Sequence, residues 1–142
     1  MLEKSLYPSL ISYLEQENLY IYREIPFFMK HIDIVCVSPD IGELTAIEVK
    51  VKDWCTGYRQ AIHHKIFAEN SYLAISAKYS HRVLGHIDFF ENAGIGILEI
   101  DGNAKELLKP RFSKDIFPSY KELVLSTLEK KKKVMKSWKT GE

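Results

Sequence analysis

Residues 31–53 narrow the possible folds more than any other part of the chain. HIDIVCVS is almost entirely apolar but contains Asp33. Such a run suits a strand buried on both faces. An ionised carboxylate inside it is costly unless it is paired or bound to a metal. SPDIGE follows, with Pro39, Asp40 and Gly42 supplying turn chemistry. TAIEVKVKD then alternates. Ile47, Val49 and Val51 share one face, and Ala46, Glu48, Lys50 and Lys52 share the other. A half-buried strand with a solvated outer face would satisfy that alternation. The turn adds more. A hairpin centred between residues 40 and 41 sets Asp33 opposite Glu48, with Cβ atoms about 5 Å apart. Two carboxylates that close repel unless something positive lies between them.

The rest of the chain reads as alternating elements. Residues 4–17 carry Leu6, Leu10, Tyr13 and Leu14 at helical spacing, with Pro8 in the first turn. Residues 19–30 are aromatic and β-branched, and Pro26 marks an edge or a bulge. Asp53 can cap a helix over about 54–69, striped by Tyr58, Ile62 and Ile66. SYLAISA is a short apolar strand, and strand–helix–strand order favours a right-handed crossover to a parallel neighbour. A helix from Ser80 ends at Gly94, GIGILEID is a further strand, and Pro118 opens a last helix. Residues 103–117 are ambiguous. The expected order is αβββαβαβα, an α/β domain on a central mixed sheet, with residues 1–128 as one domain.

With 46% apolar and 27% charged residues, the composition is that of an ordinary globular protein. No stretch approaches the length of a membrane span. Cys36 and Cys55 form no CxxC, so a reduced, cytoplasmic setting is expected. The net charge is +1, unevenly spread. Six lysines and two glutamates between Glu129 and Glu142 give that end +4, leaving −3 for the remainder. A basic end on a mildly acidic body suits either a nucleic-acid contact or a solvated helix end at 129–142. Phosphate-loop, dinucleotide-binding, nucleophile-elbow and HExxH motifs are absent.

The carboxylates therefore carry the chemistry. Hard oxygen ligands of this kind suit Mg²⁺ or Mn²⁺. Lys50, on the face of Glu48, can orient or deprotonate an attacking water, or steady developing phosphate charge.

Asp33 followed by Glu48-Val49-Lys50 on the next strand resembles the PD-(D/E)xK nuclease superfamily, the restriction-endonuclease-like fold. Its αβββαβ core is similar to the order expected over residues 4–77, and the likeness extends to about residue 100. The resemblance implies a metal-dependent nuclease. Asp33, Glu48 and the carbonyl of Val49 would hold Mg²⁺ or Mn²⁺, and Lys50 would act on the water. It further implies a glutamate on the first helix, Glu15 in preference to Glu17. A glutamine on the helix after ExK, as in RecB-like and archaeal resolvase-like branches, would be Gln60. The literal Pro39-Asp40 pair departs from the pattern, because it falls in the turn. Lys52, Arg59 and Lys65 are candidate phosphate contacts, although solvated charge is the commoner fate of such residues. DNA is the expected substrate, with a homodimer or a partner protein supplying specificity. The rival reading is a catalytically silent nucleic-acid-binding or assembly protein on the same fold.

Overall fold

The computed structural model describes residues 1–141, with side chains described through Lys131. The side chains of Lys132, Lys133, Lys136 and Lys139, on which the expected basic tail rests, lie outside the described residues, as does Glu142. A 3₁₀ turn, Glu3–Leu6, leads into α1 (Tyr7–Gln16). Three strands follow: β1 (Tyr20–Phe27), β2 (Lys30–Val37) and β3 (Leu44–Lys50). Next come α2 (Trp54–His63), which runs on into a 3₁₀ turn at His64–Ile66, and β4 (Asn70–Ser76). The chain continues through α3 (Ser80–Leu84), α4 (Ile87–Ala93), β5 (Gly96–Ile100), β6 (Ala104–Leu108) and α5 (Pro118–Gly141).

The six strands form one mixed sheet in sequence order, β1 to β6. β1–β2, β2–β3 and β5–β6 are antiparallel, while β3–β4 and β4–β5 are parallel. The first crossover carries α2, as expected of a strand–helix–strand unit. Pro26 is accommodated because β1 is the edge strand.

Two expectations are revised. The helix over 80–94 is two short helices, broken at Gly85 and His86, where the His86 ring stacks on Trp54 at 4.7 Å. Gly94 does end the second one, in a left-handed conformation (φ 75°). The ambiguous stretch after residue 103 contains β6, whose Ala104 and Lys105 pair with Ile100 and Glu99. Its short length and charged residues hid it.

Each sheet face is covered. α1 packs Tyr7, Leu10, Ile11 and Leu14 against Ile21, Ile34, Cys36, Ile47 and Val49. On the other face, Phe67 and Ala68 join Val124 and Leu128 of α5 against Tyr22, Ile25, Val35 and Ala46. A third cluster fills the β4–β5 end, with Leu73, Ile75 and Ile97 against Val83 and Phe90. Glu69 ties these parts together. Its carboxylate accepts the Leu44 N–H at 2.7 Å and pairs with Lys121 of α5 at 2.5 Å.

One irregularity matters for the site. β1 and β2 pair continuously except at Glu24 and Asp33, which the register sets opposite each other. Glu24 has φ 53°. Across this point the apolar residues change sides. Ile21 and Ile34 join the α1 face, whereas Ile25 and Ile32 join the opposite one. The hairpin beyond Asp33 is thus turned over relative to the rest of its strands. A left-handed backbone is tolerated by Gly and is worst for β-branched residues. Glu24→Val is therefore expected to lower stability by about 1–2 kcal/mol in urea unfolding, and Glu24→Gly to leave it unchanged or raised. The reverse order would contradict the assigned role of this turn-over.

Candidate active site

The site is built where the β2–β3 ladder ends. The paired residues run from Val37↔Leu44 to Ile34↔Ile47, and the next step sets Asp33 opposite Glu48, the register expected from the turn. Carboxylates replace the carbonyls there. The Asp33 N–H donates to Glu48 Oε2 at 3.2 Å, and the Val49 N–H donates to Asp33 Oδ2 at 2.8 Å. Each carboxylate thus holds the backbone beside its partner and commits one oxygen to doing so. Glu48 is 1% exposed.

Burial raises the pKa of both groups. For Glu48 the negative charge of Asp33 adds to the rise, while the Asp33 N–H and Lys50 oppose it. For Asp33 the Val49 N–H and Lys50 oppose the rise. The charge of half-buried Asp33 discourages the ionisation of buried Glu48, and such a site gains from a cation. The oxygens not engaged by N–H groups are hard donors. The donor set therefore fits Mg²⁺ or Mn²⁺, with Asp33 and Glu48 as the residues that would hold it. Among the described residues no group of three or more His, Cys, Asp or Glu side chains is arranged as a metal cluster. Val49 joins the site through its N–H, which donates to Asp33.

Lys50 lies on the α2 side of the sheet, half-buried. Its stem runs beneath Gly57 of α2, where a Cβ would meet Lys50 Cγ at 2.9 Å and Leu73 Cδ1 at 2.5 Å. The glycine lets α2 approach β3 and β4 closely, and that approach holds the lysine stem. His64, buried at the end of α2, places Nε2 3.8 Å from Glu48 Oε2. Burial, then His63 and Lys30, pushes the His64 pKa down to about 4, so the pair is not an ion pair at neutral pH. Gln60, one turn earlier, lines the same pocket as His64, and its Oε1 is buried without a partner.

The remaining expected residues are not drawn into this centre. Glu15 is exposed on the last turn of α1, about 12 Å along the helix from Tyr7. It lines a separate hollow with Lys4, Tyr7 and Arg23. Lys52 and Arg59 are exposed, and Arg59 reaches Thr56 Oγ1 at 3.5 Å. Lys65 donates to the Ala93 carbonyl at the end of α4, a structural position. Asp40 is exposed in the turn, as its sequence setting implied.

One residue was missed. The turn containing Glu3 touches β3. Burial raises the Glu3 pKa, as does the charge of Asp33, while Lys50 opposes the shift. Glu3, not Glu15, therefore shares the electrostatic environment of the pair. The signal was available, because the buried stripe Tyr7, Leu10, Ile11 and Leu14, extended back by one helical step, reaches Glu3.

No protein-family profile matches the chain, and no curated protein matches it. It is similar in structure to SPO1766, a protein of unknown function from Silicibacter pomeroyi. The two are 13% identical with a TM-score of 0.74, over 99% of this chain and 94% of that one. The likeness supports the mixed α/β fold. No helix among the described residues is long and apolar enough to cross a membrane.

Two outcomes are expected. Gly57→Ala forces either buried Leu73 or the Lys50 stem to move, and should lower stability by about 1–3 kcal/mol in chemical denaturation. No loss would show that the contact relaxes freely. Separately, Glu48 is ionised more readily in the unfolded chain than in the folded one. Its contribution to stability is therefore full below its ordinary value of 4.5 and is lost as pH rises above it. In EDTA, Glu48→Gln should raise Tm at pH 8 and bring no gain at pH 4. A gain at pH 4 alone would reverse the assignment.

Proposed function

We propose that this chain is a metal-dependent nuclease of the PD-(D/E)xK, restriction-endonuclease-like kind, hydrolysing phosphodiester bonds in DNA. The observation that carries the reading is the reciprocal hydrogen bonding of Asp33 and Glu48 across the end of the β2–β3 ladder, with Lys50 two residues beyond Glu48. A buried acid, a half-buried acid and a lysine, fixed at a strand end, are suited to phosphoryl chemistry and serve no packing purpose.

In this reading Asp33, Glu48 and the Val49 carbonyl hold Mg²⁺ or Mn²⁺, which when bound polarises the phosphate and lowers the pKa of a water. Lys50 orients that water. Its stem, confined beneath Gly57, limits the positions its ammonium can sample, and such confinement favours catalysis. Glu3 takes the place first assigned to Glu15, tuning Lys50 and Asp33 from the turn before α1. Gln60 and His64 form the wall behind Glu48. Lys52, Arg59 and the lysines between 130 and 139 are left as phosphate contacts, which position a substrate without reading its sequence. A homodimer, or a partner protein that supplies specificity, completes the proposal.

A second reading, a nucleic-acid-binding protein without hydrolysis, draws on the same two hydrogen bonds, since they already occupy one oxygen of each carboxylate. Cleavage of labelled duplex, single-stranded, flap and four-way-junction DNA with Mg²⁺ or Mn²⁺ separates the two. Metal-dependent cutting, abolished by EDTA and reduced by at least about 10²-fold in Lys50→Ala, is expected. Glu3→Gln should reduce it roughly 10- to 100-fold, with the smaller effect from Glu15→Gln. Binding without cutting, indifferent to Lys50→Ala, would favour the second reading.

A further inference from the structure

We infer that the pocket between the β1–β2 hairpin tip and the end of α2 receives an unpaired nucleobase bearing an exocyclic amino group, beside the carboxylate pair. This inference rests on the proposed nuclease function and names its substrate class.

The pocket has a volume of about 300 Å³ and is mainly apolar, with Phe27 and Phe28 of the hairpin on one side and Gln60 and His64 on the other. It reaches the carboxylates through His64, whose Nε2 faces Glu48 Oε2. Two polar atoms on its α2 side are buried without a partner, Gln60 Oε1 and His64 Nδ1. Unpaired buried polar atoms are costly and uncommon, and two lining one pocket point to a ligand that completes them. Both are acceptors. Gln60 Oε1 is one by nature. The imidazole is best oriented with its N–H on Nε2, toward Glu48 Oε2, the oxygen that already accepts the Asp33 N–H, which leaves the Nδ1 lone pair facing away.

The missing partner is therefore a donor, set in a flat apolar ligand. An exocyclic amino group carries two N–H donors, one for each acceptor; adenine, cytosine and guanine have such a group, whereas an unpaired thymine offers the single N3–H. Phe28 supplies a face for stacking. It is 67% exposed and held at φ 58° at the hairpin tip, an unfavourable backbone for a bulky residue, and T-shaped contacts with Phe27 and Tyr120 fix its ring there. Lys30 and His63 stand on the rim, where a sugar–phosphate chain leaving the pocket would pass. A base inside a duplex has its edge paired and both faces stacked, so only an unpaired or extruded base can enter.

The test measures binding in EDTA, where metal-dependent cleavage is silent. Fluorescence anisotropy would follow labelled single-stranded oligo(dA), oligo(dC) and oligo(dT), and a blunt duplex of equal length. Single strands should bind more tightly than duplex. Oligo(dA) and oligo(dC) should bind roughly 3- to 10-fold more tightly than oligo(dT), the worth of one net hydrogen bond. Gln60→Leu, checked for an unchanged thermal melt, should erase that preference and retain oligo(dT) binding. Phe28→Ala, at an exposed position, should weaken all three single strands by about 5- to 100-fold, the range for stacking one base. Equal binding of duplex and single strand, or affinities untouched by both substitutions, would overturn the pocket assignment. The cleavage test with Lys50→Ala would still decide the nuclease reading. Absence of binding to every oligonucleotide would likewise overturn the pocket assignment.

Discussion

The exchange of hydrogen bonds between Asp33 and Glu48 is the interaction on which the rest of this molecule turns. An antiparallel ladder normally ends by fraying into solvent. Here it ends because two side chains take over the acceptor role of the backbone, each steadying the peptide next to the other. The cost is a buried and a half-buried acid held side by side, and the surrounding fold is what bears it. Apolar contacts on both sheet faces hold β2 and β3 in register, so the carboxylates cannot separate to relieve their repulsion.

The same point redirects the chain. At Glu24 and Asp33 the β1–β2 pairing is interrupted and the hairpin turns over, carrying Ile25 and Ile32 to the face opposite Ile21 and Ile34. Without that reversal Phe27 would not lie against Phe67, with ring centroids 4.9 Å apart, and the hairpin tip would not lean toward the end of α2. One local irregularity thus both interrupts the β1–β2 pairing beside Asp33 and forms one wall of the neighbouring pocket.

Much of this was legible in the sequence, for identifiable reasons. The period-two alternation of TAIEVKV and the turn residues of SPDIGE allow one register, and that register fixes Asp33 opposite Glu48. The parallel β3–β4 pairing followed from the handedness of crossovers. The hairpin reversal was not legible, because nothing in Arg23-Glu24-Ile25 announces a positive φ. Glu3 lies one residue before the start that the sequence predicts for the first helix, and terminal turns are the least defined part of any helix. The roles of Gly57 and of His64 depend on how close α2 lies to the sheet, a distance that no local pattern encodes.

The packing of Tyr120 has a consequence for the order in which the molecule assembles. This residue, near the start of α5, sets its ring against Phe27 and Phe28 from the opposite end of the chain. Closing so long a loop costs little more entropy than closing one half its length, because the cost grows only with the logarithm of length. It nevertheless requires that residues 118–128 have left the ribosome. The meander of β1, β2 and β3 relies on near-neighbour contacts and can form early, whereas the face it presents to α5 stays uncovered until α5 has been made. During that interval the nascent domain would offer Tyr22, Ile25 and Phe27 on an edge strand, the kind of surface that chaperones bind.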